Sequence, residues 1–197
     1  RAYLSATLFA EPPRETFLGR RWLWRIEAAA IPRYDAALVE IHARLRSLLL
    51  GPKWLAIPRW IQGEAPLDGA RRLPKTLKSD LSRIRRNNLT CTVTRDLERM
   101  EAFYRDMYAP YIAGAHGASA FVMPDTAFRN HLPVCELLLV EKSGHAIAGI
   151  LLDVVGGVPR LWSLGIRDGD PAHLDDGAMA ALYHFAFERF RAQGHDR

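Results

Sequence analysis

ELLLVE (136–141), KSGH (142–145), AIAGILLDVV (146–155), GG (156–157), VPRLWSLGIRDG (158–169), DPAHLDDG (170–177) and AMAALYHFAFERFRAQG (178–194) follow one another without a break. They read as strand, tight turn, strand, turn, strand, short acidic loop and long apolar-faced helix. That order predicts an antiparallel meander beside a helix that begins in a Gly- and Asp-containing turn. The N-terminus of a helix next to a strand end favours anions. Asp168, Asp170, Asp175 and Asp176 crowd this loop, however, and their charge works against a phosphate there. Asp175 or Asp176 is expected to cap the helix.

Working outward, LTCTVT (89–94) reads as a strand, and Asp96 is placed to cap a helix in which Leu97, Met100, Tyr104, Met107, Tyr108 and Tyr111 share one side. A short helix is expected over Asp125–His131. From Pro74 to Asn88 a helix sets Leu77, Leu81 and Ile84 on one face and Lys75, Lys78, Ser82 and Arg86 on the other, with Arg71, Arg72, Arg83 and Arg85 adding local positive charge. GEAPLDGARRLP (63–74) is the best domain boundary. Before it, AYLSATLF (2–9), RRWLWRIEA (20–28) and KWLAIPRWI (53–61) have strand composition, and a helix is expected from Tyr34 to Leu49. The fold class is mixed α/β (α+β), with a largely antiparallel central sheet flanked by helices.

The 197 residues include five Trp and eight Phe, enough apolar material for one packed domain or two small ones. A net charge of +5 and a pI near 9.5 favour an anionic partner, although a basic protein without one is the plainer reading. Cys91 and Cys135 are expected to be buried free thiols, as in a reducing compartment, and no Cys/His spacing resembles a metal site. No run is apolar enough to span a bilayer. A soluble, cytoplasmic protein is expected. The chain starts at Arg1 rather than Met and stops at GHDR, so both ends are expected to be cut.

Three groups of residues suit chemistry. Tyr108, Tyr111 and His116 lie where a helix gives way to a Gly-containing loop, and imidazole beside phenols suits general acid–base work; packed tyrosines and a solvated histidine are the alternative. Arg160, Trp162, Ser163, Leu164 and Gly165 mark a strand where glycine allows a bulge or a close backbone approach. Tyr183 in the last helix can serve as an acid or belong to the core. The absence of GxSxG, P-loop and GxGxxG patterns sets aside hydrolase, NTPase and dinucleotide readings.

LPKTLKSDLSRIRRN, LTCTV, FYRDMYAPYIAGAHG, LLLVEKSGHAIAGILL, RLWSLGIRDGD and GAMAALYHFAFERFRAQG, in that order, resemble the GNAT acyltransferase superfamily, in particular its FemAB-like branch. The resemblance runs from about Lys75 to the end. It implies a GNAT-like fold, usually in tandem, with residues 1–70 part of a first unit and residues 71–197 a second whose last strands lie beyond Arg197. It implies acyl or aminoacyl transfer from an activated donor to an amine or hydroxyl, the acceptor being a small molecule or a cell-envelope precursor. By position, Ser163, Leu164 and Gly165 would receive the donor, with Gly177 and Ala178 at its helix. His116 and Tyr111 would stand on the acceptor side and Tyr183 on the helix after the donor loop. Tyr108, Arg160, Trp162, Lys75 and Lys78 would bind substrate.

One departure affects the donor. Members using coenzyme A commonly carry Q/R-x-x-G-x-G/A before that helix; here DGDPAHLDDGA stands there, and only Gly177-Ala178 agrees. Acyl-CoA, an acyl-carrier protein and an aminoacyl-tRNA all remain as donors. The alternatives are a tRNA-binding or RNA-binding module acting through Lys75, Lys78, Arg85 and Arg86, and a degenerate GNAT-like scaffold.

Overall fold

The computed structural model describes residues 39, 41–50, 52, 54–56, 63–67, 75–117 and 120–195. The chain divides into two units, Arg1–Gly63 and Glu64–Arg197. In the first, the described elements are a 3-10 turn, Ala43–Leu45, and a short helix, α1 (Arg46–Leu49). The strands expected at 2–9 and 20–28, and most of the helix expected from Tyr34, lie outside the described residues. Trp54, Leu55 and Ala56, inside the strand expected at 53–61, are not in a strand.

The second unit contains α2 (Lys75–Arg86), β1 (Thr90–Thr94), α3 (Leu97–Phe103), a π turn (Tyr104–Tyr108), α4 (Ala109–His116), α5 (Asp125–His131), β2 (Glu136–Lys142), β3 (His145–Val155), β4 (Val158–Ile166), α6 (Pro171–Asp175) and α7 (Ala178–Ala192). The four strands form one antiparallel sheet in the order β1-β2-β3-β4. This is the mixed α/β class, an antiparallel sheet flanked by helices. Among the described residues, no helix is long and apolar enough to cross a membrane.

Both hairpins close through two residues at positive φ, Ser143-Gly144 and Gly156-Gly157, the geometry that matches strand twist. Leu137 and Leu139 of β2 and Leu151 of β3 enter a core with Met100, Phe103, Met107, Tyr108 and Phe128. Leu138, Val140, Ile150 and Leu152 enter another with Ala181, Leu182, Ala186 and Phe190 of α7 and Ile84 of α2. The unbroken apolar runs LLLV and ILL follow from this, because β2 and β3 are covered on both faces. Leu77, Leu81 and Ile84 of α2 turn inward, whereas Lys75, Lys78, Ser82, Arg85 and Arg86 are exposed.

The ladder is irregular in two places. Between Val140 and Glu141 the partner skips Ile147, and between Leu151 and Leu152 it skips Trp162. Each is a β-bulge, which bends the strand and re-aims the extra side chain.

Four expectations are corrected. Leu97 is exposed rather than packed with Met100, because it starts α3 beyond the sheet's cover. Cys91 is exposed, because β1 ends the sheet and its neighbouring positions are largely open; Cys135 is buried, and both thiols are free. The acidic loop contains α6, capped by Asp170 through the Ala172 amide. Neither Asp175 nor Asp176 caps α7: Gly177 occupies the N-cap at φ 94° with no side-chain cap, and the Asp176 carboxylate pairs instead with Lys142 at 2.6 Å.

Gly165 holds the sheet against the helical layer. A Cβ there would lie 2.5 Å from Met107 C and Tyr108 N, inside the π turn. Gly165→Ala should therefore cost about 1–3 kcal/mol by overpacking against main chain. Chemical denaturation would show this as a lower midpoint at unchanged slope.

Candidate functional site

Asp153 is the buried charged side chain that stands out among the described residues, at 3% exposure. The Gly156-Gly157 hairpin brings it opposite Arg160 in the ladder, seven positions on. Arg160 grips both carboxylate oxygens, through Nε at 2.8 Å and Nη2 at 2.5 Å. His131 at the end of α5 adds a contact from Nε2 to Oδ2 at 2.8 Å. The bulge aims Trp162 at α5, where its ring centroid is 4.1 Å from that of His131 and 5.4 Å from that of Phe128.

Burial alone would raise the Asp153 pKa. The hydrogen bonds and charges of Arg160 and His131 outweigh it and hold the carboxyl below its usual range. The neighbouring Cys135 thiol is pushed up to about 12, first by burial and then by the Asp153 charge, with Arg160 opposing. It therefore stays protonated at neutral pH, and its Sγ contacts the His131 carbonyl at 3.4 Å. His131, Cys135 and Asp153 offer atoms within 4.8 Å of one another, a set that a soft divalent ion can in principle use. The donor set fits a cation poorly, because Arg160 already takes both carboxylate oxygens and brings its own positive charge.

His131 turns Nε2 to Asp153, and its side chain is 27% exposed. A carboxylate that orients an imidazole and stabilises its cation is the arrangement a general base requires. Arg160, 38% exposed, holds that carboxylate from the other side.

Of the sequence candidates, Arg160 and Trp162 are brought together here, with Ser163 next in the strand. Gly165 faces the π turn, so its missing side chain accommodates the protein's own helix. Tyr108 is buried, its hydroxyl accepting from the Met123 amide at 3.3 Å. Tyr111, like Leu164, packs against the opposite core. His116 is exposed at the end of α4. Tyr183 is partly exposed on α7, its ring 6.2 Å from Phe187. No hydrogen bond or ring contact joins His116, Tyr111 and Tyr183 among the described residues. Gly177 and Ala178 are buried at the start of α7, where the Arg83 chain lies against Gly177. Lys75 and Lys78 are exposed on α2.

Reading the residues one by one missed His131 and Asp153. Two signals in the sequence bear on Asp153, an acid at the end of an apolar strand and the Gly-Gly turn that sets Arg160 opposite it, and neither bears on His131. Compared with protein-family models and with curated proteins, the chain finds no match.

The depressed Asp153 pKa fixes how stability changes in acid. The unfolded chain binds protons at higher pH than the folded one, so the contribution is complete above about pH 4 and is lost as pH falls through the lower folded value. Glu136, which burial raises but Arg95 and Arg189 hold down, acts in the same direction. Asp153→Asn should lower stability by about 1–3 kcal/mol at neutral pH and make its decline below pH 4 shallower, as thermal melts across pH would show.

Proposed function

We propose that the chain is an acyltransferase unit that moves an acyl group from an activated donor to an amine or hydroxyl acceptor, with His131 as the general base. The single observation that carries this reading is the buried Asp153–His131 pair beside the bulge of β4. The resemblance of the sequence to FemAB-like GNAT proteins supports the reaction class.

In this reading His131 Nδ1 takes the proton of the acceptor as its nitrogen or oxygen attacks the donor carbonyl. Asp153 keeps the imidazole oriented and offsets its positive charge while the proton is held. The tetrahedral intermediate then expels the thiolate or alkoxide of the donor, which receives that proton. Trp162 provides a flat apolar wall beside the imidazole. An acyl-CoA, an acyl-carrier protein or an aminoacyl-tRNA can supply the activated carbonyl.

The test is release of free thiol or of uncharged tRNA from a donor panel in the presence of amine and hydroxyl acceptors. His131→Asn should lower kcat by about 10²–10⁴-fold with melting little changed. Full activity in His131→Asn together with loss in His116→Ala would overturn the assignment and move the base to α4.

A second reading rests on the outer face of α2, where Lys75, Lys78, Arg85 and Arg86 are all exposed. This favours an anionic macromolecule such as tRNA, as donor or as sole ligand. Binding would weaken as salt rises, and each charge removed by Lys75→Gln or Lys78→Gln should reduce the slope of log affinity against log salt by about 1. A slope unaffected by either substitution would exclude this face.

A further inference from the structure

At the end of the sheet away from Asp153, α3 and the π turn leave a pocket of about 110 Å³ over β2 and β3. Phe103, Met107 and Leu139, all buried, form its floor with Ala146, while the exposed Arg99 and the half-buried Arg167 stand at its rim. Ala146 and Asp153 are seven residues apart on β3, roughly 23 Å at 3.3 Å per residue. The pocket and the His131 pair are thus separate places on one face of the sheet.

Three departures from regular structure meet at this pocket. The π turn begins between Phe103 and Met107, and such turns occur frequently at functional sites. The bulge at Ile147 sends that side chain into the opposite core and leaves the small Ala146 on the pocket side. Asp168, beside Arg167, has a left-handed φ of 56°.

The two guanidinium groups are the chemically telling part. Arg95, Arg105, Arg129, Arg160 and Arg189 on neighbouring elements each meet a carboxylate. Arg99 and Arg167 meet none among the described residues. Arg167 is nevertheless fixed in place, its Nε donating to the Ala146 carbonyl at 2.5 Å, and among the described residues its terminal amino groups meet no partner. A pre-positioned guanidinium fork matches a carboxylate through two parallel hydrogen bonds.

We propose that this pocket binds a small carboxylate with a short aliphatic tail, the carboxylate held by Arg99 and Arg167 and the tail lying on Phe103, Met107 and Leu139. Size limits the tail, since a cavity of about 150 Å³ takes a benzene-sized molecule, so about three to five carbons fit here. The apolar floor disfavours inorganic phosphate, whose remaining oxygens would lose water without gaining partners. The inference does not depend on acyl transfer.

Calorimetric titration of the whole chain with isovalerate tests it, with acetate, isopentanol and phosphate as companions. Isovalerate should bind saturably in the millimolar range and more tightly than acetate, which lacks the tail, or isopentanol, which lacks the charge. Arg99→Gln should weaken it about tenfold or more. Arg99 is exposed, so this variant should melt like the parent and the loss can be attributed to the contact. Arg167→Gln should weaken it similarly, and a lower melting temperature there would report the lost bond to Ala146. Absence of saturable binding, equal affinity for isopentanol or phosphate, or unchanged affinity in Arg99→Gln would each overturn the proposal.

Discussion

Both faces of β2 and β3 are covered, and this constraint organises the rest of the unit. A strand buried on both sides has no face to give to water, so polar groups are driven to its ends or must arrive already paired. Glu136 at the start of β2 answers to Arg95 and Arg189, tying together the sheet, the segment before α3 and α7. Lys142 at the other end of β2 answers to Asp176, just before α7. Asp153 stands where the buried part of β3 gives way to the exposed Val154 and Val155. There two cationic or hydrogen-bonding side chains can reach it while remaining in contact with solvent. A carboxylate two positions further in would face Met100 and Phe103 instead, with nothing to balance its charge.

Tight packing on the helical side has a second consequence. Gly165 allows the main chain of the π turn to touch β4, and Tyr104 and Tyr108 then anchor that turn to the backbone of Met123, donating to its carbonyl and accepting from its amide respectively. The residues leading into α5 are fixed this way, and α5 carries His131. The position of the imidazole therefore depends on a glycine in β4 and two phenols in a helix, none of which touches it.

The sequence made some of this legible and hid the rest for identifiable reasons. Local signals worked: Ser143-Gly144 and Gly156-Gly157 located the hairpins, Asp96 capped α3, and the apolar stripe of α2 faced inward. The Asp153–Arg160 pair was not read from the sequence, although a two-residue turn at 156–157 sets residues 153 and 160 opposite each other. His131 was not legible, because its approach to Asp153 depends on how α5 lies across the sheet, which no local pattern encodes. Periodicity of 3.6 cannot register a π turn, so the helix from Leu97 onward read as uniform. Residue type misled at Cys91, where an apolar preference says nothing about the lack of cover on an edge strand. At Asp176 the capping preference lost to Lys142.

The two bulges show how one sheet face can serve two ends. A regular β4 would keep strict alternation past Leu161; the extra residue at Trp162 instead lets an indole and Ser163 follow each other without shifting Leu161 or Leu164 from the opposite core. The extra residue at Ile147 works the same way in β3, moving a large side chain out of the face that Ala146 then occupies. In both places apolar packing is preserved on the α7 side while the α3–α5 side gains irregular ground. That second side carries His131, Arg160 and Trp162 at one end and Arg99 and Arg167 at the other. Chemistry on this fold is therefore best sought where the ladder slips.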